Sequence, residues 1–257
     1  MSRLESRPDP GELLALAREA AEQAGALLRE RFEAGPEARV RTKTTSTDLV
    51  SEADFAAQRS IRALLDERRP GDGFLGEEGG DAAGSSGLRW IVDPLDGTVN
   101  FLFGIPQWCV SVAVCDAEGT IAGVVHDPLR AETFAGARGQ GATLNGVGLT
   151  ARTGIDLGTA MVATGFAYDA GVRVEQGKVV AGLIGEVRDI RRCGAAALDL
   201  AWTAAGRYDA YYERGMNPWD VAAGELLCRC AGLELRELPA RGVLPVGVLA
   251  APVGLAD

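Results

Sequence analysis

Histidine is nearly missing from this chain: His126 is the only one among 257 residues. A multi-histidine metal centre within the chain is thereby excluded, and a Ser/His/Asp triad has little to stand on. The five cysteines (Cys109, Cys115, Cys193, Cys228, Cys230) are odd in number and hold no C-x-x-C pair. That argues against a disulfide framework or structural zinc and for reduced, half-buried thiols. No apolar run approaches the roughly 18 residues of a membrane span. The longest, near Trp108 to Cys115 and Leu244 to Val253, are strand-sized. The opening MSRLESRPDPGELL lacks the apolar centre of a signal peptide, so the expected location is the cytoplasm. Positive charge is scarce as well. Twenty-six Lys and Arg face 36 Asp and Glu, and a net charge of −10 argues against a nucleic-acid backbone or an anionic membrane as main partner. Chemistry must therefore rest on carboxylates.

What is present fits an ordinary globule, 47% hydrophobic and 24% charged, long enough for one large domain or two lobes. Leu13, Leu16, Ala20, Ala24 and Leu27 recur at helical spacing from Gly11 to about Phe32. A second helix is expected from Ser51 to the Pro70 stop, with Phe55, Ile61, Leu64 and Leu65 on one face. Trp90 to Val92, Trp108 to Cys115 and Ile121 to Val125 read as strands, and Thr133 to Gly146 as a glycine-rich strand pair with an Asn-Gly turn at Asn145. Beyond a polar stretch at Thr150 to Asp156, strands at Val162 to Thr164, Asp189 to Arg191 and Ala210 to Tyr212 alternate with helices at Val172 to Glu186, Ala195 to Ala205 and Trp219 to Ala231. The fold class expected is α/β, with an α+β lobe over residues 1–148 and an α/β lobe over 149–257.

Acids crowd between Asp48 and Asp96, eleven against five arginines. Asp66, Glu67, Asp72 and Asp81 read as a solvated face. Asp93 and Asp96 do not. In RWIVDPLDGTVNF, Asp93 closes an apolar strand, where an isolated carboxylate is costly unless paired or bound to a cation. Pro94 turns the chain so that both carboxylates can converge, Gly97 permits close backbone approach, and Thr98 to Asn100 would open a helical turn whose free N–H groups suit an anion. Two turn aspartates capping a helix is the commoner meaning of such a pair taken alone. Read as ligands, all-oxygen donors point to Mg²⁺ rather than zinc. FLGEEGG offers Glu77 and Glu78 between glycines, and MNPWDVAAG places Asp220 in the first turn of a helix capped by Asn217, where helix-dipole compensation competes with a functional role.

Together DLVSEAD (Asp48 to Asp54), GEE (Gly76 to Glu78), WIVDPLDGTVNF (Trp90 to Phe101) and PWDVAAG (Pro218 to Gly224) resemble the inositol monophosphatase family, Mg²⁺-dependent, lithium-sensitive sugar-phosphate phosphatases. The resemblance runs from Leu13 to Pro252. It implies a layered αβαβα sandwich, a homodimer, and two or three Mg²⁺ ions. Glu77, Asp93 and the carbonyl of Leu95 would hold one ion, Asp93, Asp96 and Asp220 a second, and a weaker third would rest near Glu77. Asp54 and Thr98 would orient the attacking water, the amides of Gly97 and Thr98 would hold phosphate, and Gly194, Ala196, Glu213 and Asp220 would face a small phosphorylated polyol, inositol monophosphate first. Lys43, five residues before Asp48, matches a family lysine near the site.

Departures cluster at the polyol pocket. Asn217 and Pro218 differ from animal members, and Ala195 replaces a common hydroxyl residue. Cys230, Ala231, Gly232 and Leu233 stand where EAGG is frequent, and with the chain stopping soon after VGVLAAP a shortened closing helix is expected. Rival substrates are fructose-1,6-bisphosphate, histidinol phosphate, NADP and adenosine 3′,5′-bisphosphate. A different class, a binding module that lost turnover and acts through a protein or RNA partner, would show missing ligands, and every matched acid is present. His126 reads as a loop hydrogen-bonder, while Trp202, Tyr208, Tyr211 and Tyr212 read as packing residues. Arg191 and Arg192 stay open between a substrate and a dimer partner.

Overall fold

A computed structural model describes residues 9–35 and 52–255. Helix α1 spans Pro10–Glu33, started by Asp9, whose carboxylate accepts from the Gly11 amide at 3.0 Å, and by Pro10 at its first position. Its buried stripe is Leu13, Leu16, Ala17, Ala20, Ala21, Ala24 and Leu28. The sequence stripe named Leu27, but the step of four from Ala24 lands on Leu28. Helix α2, Glu52–Arg68, buries Ala53, Asp54, Ala57, Ile61 and Leu65. Phe55 and Leu64 flank that face, and a carboxylate takes the place expected of an apolar side chain.

Seven strands form the first sheet in chain order: β1 (Gly73–Gly76), β2 (Arg89–Asp96), β3 (Cys109–Asp116), β4 (Gly119–Asp127), β5 (Glu132–Ala137), β6 (Gly141–Leu144) and β7 (Val147–Gly148). Only β1 and β2 pair in parallel. The Asn-Gly turn falls at Asn145 as expected and leads into a further short strand. Asn145 and Gly146, both at positive φ, join β6 to β7, while Arg138 to Gln140 connect the glycine-rich pair. His126 lies in β4 rather than a loop, with Nδ1 2.9 Å from the Thr133 hydroxyl.

Period-two alternation puts the two faces of this sheet to different uses. Trp90, Val92, Val110, Val112 and Val114 join α1 and α2 in one core. Cys109, Ala113, Val125 and Phe134 face the other way, onto α5 (Ala196–Ala204) and α6 (Pro218–Cys230). Below these helices lies the second sheet, ordered β11-β12-β10-β8-β9, from β8 (Met161–Thr164), β9 (Asp189–Arg191), β10 (Ala210–Arg214), β11 (Glu234–Leu238) and β12 (Gly247–Ala251). Its far face packs Val162, Ala210 and Ala251 against Leu183 of α4 (Ala170–Leu183). The short helix α3, Thr98–Phe103, leaves the end of β2. Five layers, αβαβα, result. Among the described residues no helix is long and apolar enough to cross a membrane, and all five cysteines are free thiols.

Candidate active site

The site grows from the end of β2. In a regular strand Asp93 and Asp96, three apart, would point to opposite faces. Asp93 pairs with Ser111 and Asp96 with Cys109, so β2 spends one residue more than β3 over this interval. This bulge turns both carboxylates toward the face that looks onto α5 and α6. Gly97 follows at φ 93°, where an added Cβ would come within 2.9 Å of the Gln107 carbonyl and 3.2 Å of Ala195, so the turn into α3 requires glycine.

Asp93 is 2% exposed and accepts from the Leu95 amide at 3.0 Å. Asp96 accepts from the amides of Ala196 (3.1 Å), Ala197 (2.8 Å) and Leu198 (3.4 Å), the first turn of α5. A carboxylate one hundred residues upstream thus caps a helix whose own Ala195 offers no side-chain cap. The Ala196 amide is committed to Asp96, and the residue still lines the cleft. Asp220 is the third residue of α6, and its carboxylate accepts from the Asn217 amide at 2.6 Å. Asp96 and Asp220 thus each serve a helix start, Asp93 caps none, and the helix that follows the pair has no side-chain cap, yet all three acids face the cleft.

Glu77, Asp93, Leu95, Asp96, Gly97, Thr98, Gly194, Ala196, Glu213 and Asp220 line one cleft of about 210 Å³ between the two sheets. Asp54 is fully buried beneath it, and the Thr98 hydroxyl stands 3.2 Å from Asp54 Oδ1 and 3.0 Å from the Leu95 carbonyl, able to donate to one at a time. Glu78 is not in the cleft wall; its backbone amide donates to Gln58 Oε1 at 3.0 Å. Lys43 and Asp48 lie outside the described residues.

Burial sets the electrostatics. Glu77 keeps an exposed edge at the cleft mouth, but enough protein surrounds it that desolvation pushes its carboxyl up to about 7, against the opposing effect of a hydrogen bond with Asp93. Desolvation likewise pushes Asp96 up to about 7, with the Asp220 charge adding to it. Asp93 is raised well above the usual range by burial and then by Glu77, Asp96 and Asp220. Asp220 is raised by burial. Four carboxyls that suppress one another's charge in one cleft form a donor set of hard oxygens, the chemistry that suits Mg²⁺. The residues fit that ion, although among the described residues no three acidic, thiol or imidazole groups are yet drawn into a closed ligand set.

Glu213 lines the same cleft, near enough to Asp220 to feel its charge. Its Oε2 accepts from the Tyr211 hydroxyl at 2.7 Å, and burial raises its pKa. Tyr211, expected only to pack, is buried and also fixes this carboxylate. Residues the sequence left unmarked complete the surroundings. Gln58 holds the Glu77 turn, accepting from the Glu78 amide and donating to the Gly79 carbonyl at 3.0 Å. Asn100 Nδ2 ties α3 to the approach of α5 through the carbonyls of Gln107 (2.7 Å) and Cys193 (2.8 Å). Phe166, Tyr168, Arg192, Arg214 and Met216 form the rest of the rim. Asn100 sits within WIVDPLDGTVNF and Arg192 is one of the two arginines the sequence leaves open, whereas Gln58 on α2, Arg214 at the end of β10, and Phe166, Tyr168 and Met216 in loops carry no local signal.

Comparison with known proteins places the chain in a family. A Mycobacterium tuberculosis protein named inositol-1-monophosphatase SuhB is 40% identical over 272 residues, covering 98% of this chain and 94% of its own length. An Escherichia coli protein named Nus factor SuhB is 42% identical over 222 residues, 86% of this chain and 83% of its own. A crystal structure of the extragenic suppressor protein suhB from Bartonella henselae superposes with a TM-score of 0.85 at 34% identity, covering 94% of each chain. The model of the inositol monophosphatase family matches residues 9–252, and the chain belongs to that family.

Proposed function

We propose that the protein is a Mg²⁺-dependent phosphatase of small polyol phosphate monoesters, with inositol monophosphate the first candidate. The observation that carries this is the convergence of Glu77, Asp93, Asp96 and Asp220 on one cleft above a buried Asp54–Thr98 pair. Glu77, Asp93 and the Leu95 carbonyl would hold one Mg²⁺ and Asp93, Asp96 and Asp220 another, with a third near Glu77. Bound there, the ions would neutralise the phosphate, acidify a water nucleophile and stabilise the departing alkoxide. The chain's own groups do the positioning. The amides of Gly97 and Thr98 hold the phosphate, the Thr98 hydroxyl backed by Asp54 orients the water, and Gly194, Ala196, Glu213 and Asp220 face the polyol. In this division residues 1–148 carry most metal ligands and residues 149–257 carry Asp220 and the specificity contacts. The name of the E. coli relative, Nus factor, favours a binding role as second reading; the complete acid set favours hydrolysis.

A phosphatase screen over inositol monophosphate, fructose-1,6-bisphosphate, histidinol phosphate, NADP and adenosine 3′,5′-bisphosphate tests the assignment. Hydrolysis is expected to require Mg²⁺ and to be inhibited by submillimolar to millimolar Li⁺. Undiminished turnover in EDTA would overturn the metal assignment. Glu213→Gln is expected to raise KM for the polyol ester about tenfold, the loss of one charge-assisted hydrogen bond, while a generic aryl phosphate is hydrolysed as before. Equal losses on both would deny Glu213 a part in specificity.

A further inference from the structure

Two cationic side chains, Arg192 and Arg214, line the cleft. Arg214 is anchored through one nitrogen. Its Nη1 donates to the carbonyls of Leu238 (3.3 Å), Pro239 (2.9 Å) and Pro245 (2.7 Å), which pins the connection between β11 and β12. Arg191, next in sequence to Arg192, is also engaged, paired with Asp189 at 2.6 Å. Arg192 differs from both. Among the described residues it has neither an ion-pair partner nor a hydrogen-bond acceptor, although Glu213 and Asp199 are near enough for its charge to act on their ionisation.

Arg192 is nonetheless held in place. Its guanidinium lies against Gly194, where any side chain would collide with Nη1, and stacks 5.9 Å from the Phe166 ring centroid. A cation–π contact restrains an exposed guanidinium on one side while leaving its N–H donors free for an oxyanion. The acids around Asp93 require cations before any phosphate can approach, so the scissile ester belongs there. Near Glu213, Arg192 is the one lining cation among the described residues with no acceptor of its own. Glu213 reads hydroxyls there through the oxygen not taken by Tyr211.

We propose that Arg192 binds a second phosphate on the substrate, remote from the scissile one, so that the preferred class is a polyol or sugar bisphosphate. This rests on the phosphatase reading of the same cleft. The test measures kcat/KM for matched pairs, inositol 1,4-bisphosphate with inositol 1-phosphate and fructose 1,6-bisphosphate with fructose 1-phosphate, in the wild type, Arg192→Gln and Arg192→Lys. The wild-type chain is expected to favour the bisphosphate of each pair by about 10- to 100-fold, the range of a charge-assisted hydrogen-bonded contact. Arg192→Gln should abolish that ratio, mainly through KM, and Arg192→Lys should keep part of it, since it retains charge without the fork. A ratio near one in the wild type, or one that Arg192→Gln leaves intact while Mg²⁺-dependent hydrolysis continues, overturns the proposal and leaves the phosphatase reading standing. Equal loss on mono- and bisphosphates with a changed molar mass in solution would assign Arg192 to contact between copies and overturn it as well. No hydrolysis of any of the four esters by wild type would overturn this proposal, and the phosphatase reading falls with it only if the wider screen is blank as well.

Discussion

Asp93→Asn is expected to lower turnover on the order of 10³-fold, the equivalent of about 4 kcal/mol of lost charge stabilisation, while the protein stays folded. The fold survives because the Leu95 amide needs only an acceptor at Asp93 Oδ1, which asparagine supplies, and because an amide can donate to Glu77 where two carboxyls now share a hydrogen bond. Asp93 is the proposed bridge between two ions, so calorimetry should find Mg²⁺ affinity greatly reduced. Wild-type affinity in Asp93→Asn would refute the ligand assignment. Without metal the variant should be the more stable protein. Glu77 and Asp96 are pushed up to about 7, so their contribution to stability is complete below the ordinary carboxylate range and is lost as pH climbs through 7. Metal-free wild type should therefore unfold at a higher temperature at pH 5 than at pH 8, and Mg²⁺ should close that gap by binding the native state. Asparagine at position 93 is neutral at every pH, so the cost of keeping this buried carboxyl protonated above the ordinary carboxylate range disappears, and each kcal/mol recovered raises the unfolding temperature at pH 8 by about 2–4 °C. A metal-free scan flat between pH 5 and pH 8 would contradict the electrostatic account.

Elements with a strong local pattern were legible in the sequence. The stripe of α1, the valine-rich β3 and the Asn-Pro start of α6 all carry period or capping signals within a few residues. Strands β1, β7 and β11 escaped because their signals are weak. β1 is four residues between glycines, and β11 reads ELREL, whose charges suit the sheet edge it occupies rather than a buried strand. The solvated-face reading fails for Asp72. It is 9% exposed, paired with Arg69, and accepts from the Ser86 hydroxyl at 2.6 Å and the Trp90 indole at 2.9 Å. An acid next to glycine and proline looks like a turn residue, and only the tertiary approach of Trp90 shows otherwise.

The site divides the same way. Asp93 and Asp96 are conspicuous in sequence because they interrupt an apolar strand, but the turn at Pro94 is only part of how they converge; the added residue against β3 is a property of the pairing. The capping of α5 by Asp96 joins positions a hundred residues apart, and no local propensity encodes it. It also accounts for Ala195. A helix start already supplied with a carboxylate gains little from a hydroxyl of its own, so the departure from the family pattern there bears on the helix cap before it bears on the substrate. Gln58 and Arg214 act on backbone carbonyls and amides of distant loops, and their side chains carry no sign of it in sequence.

Asp54 and Thr98 are expected to act as one unit on the nucleophilic water. Asp54 lies on the inward face of α2 with Ala57, Ile61 and Leu65, fully buried, an expensive position for a carboxylate without a partner. Thr98 opens α3, and its hydroxyl is shared between Asp54 Oδ1 at 3.2 Å and the Leu95 carbonyl at 3.0 Å. When the hydroxyl donates to Asp54, its lone pairs are free to accept a hydrogen bond from water in the cleft, which aims that water at phosphorus. Loss of either member should lower kcat by about 10²- to 10⁴-fold, the range of a positioned proton acceptor, with KM and Mg²⁺ affinity little changed. Thr98→Ser should restore most of the rate, since it keeps the hydroxyl. Because the two residues serve one hydrogen-bonded path, Asp54→Asn combined with Thr98→Ala should cost scarcely more than the worse single change. Multiplicative losses would show independent roles, and a fully active Thr98→Ala would remove the pair from the mechanism. Asp54→Asn keeps the shape of the buried side chain, so a fall in rate with an unchanged unfolding temperature separates the relay from a mere defect in packing.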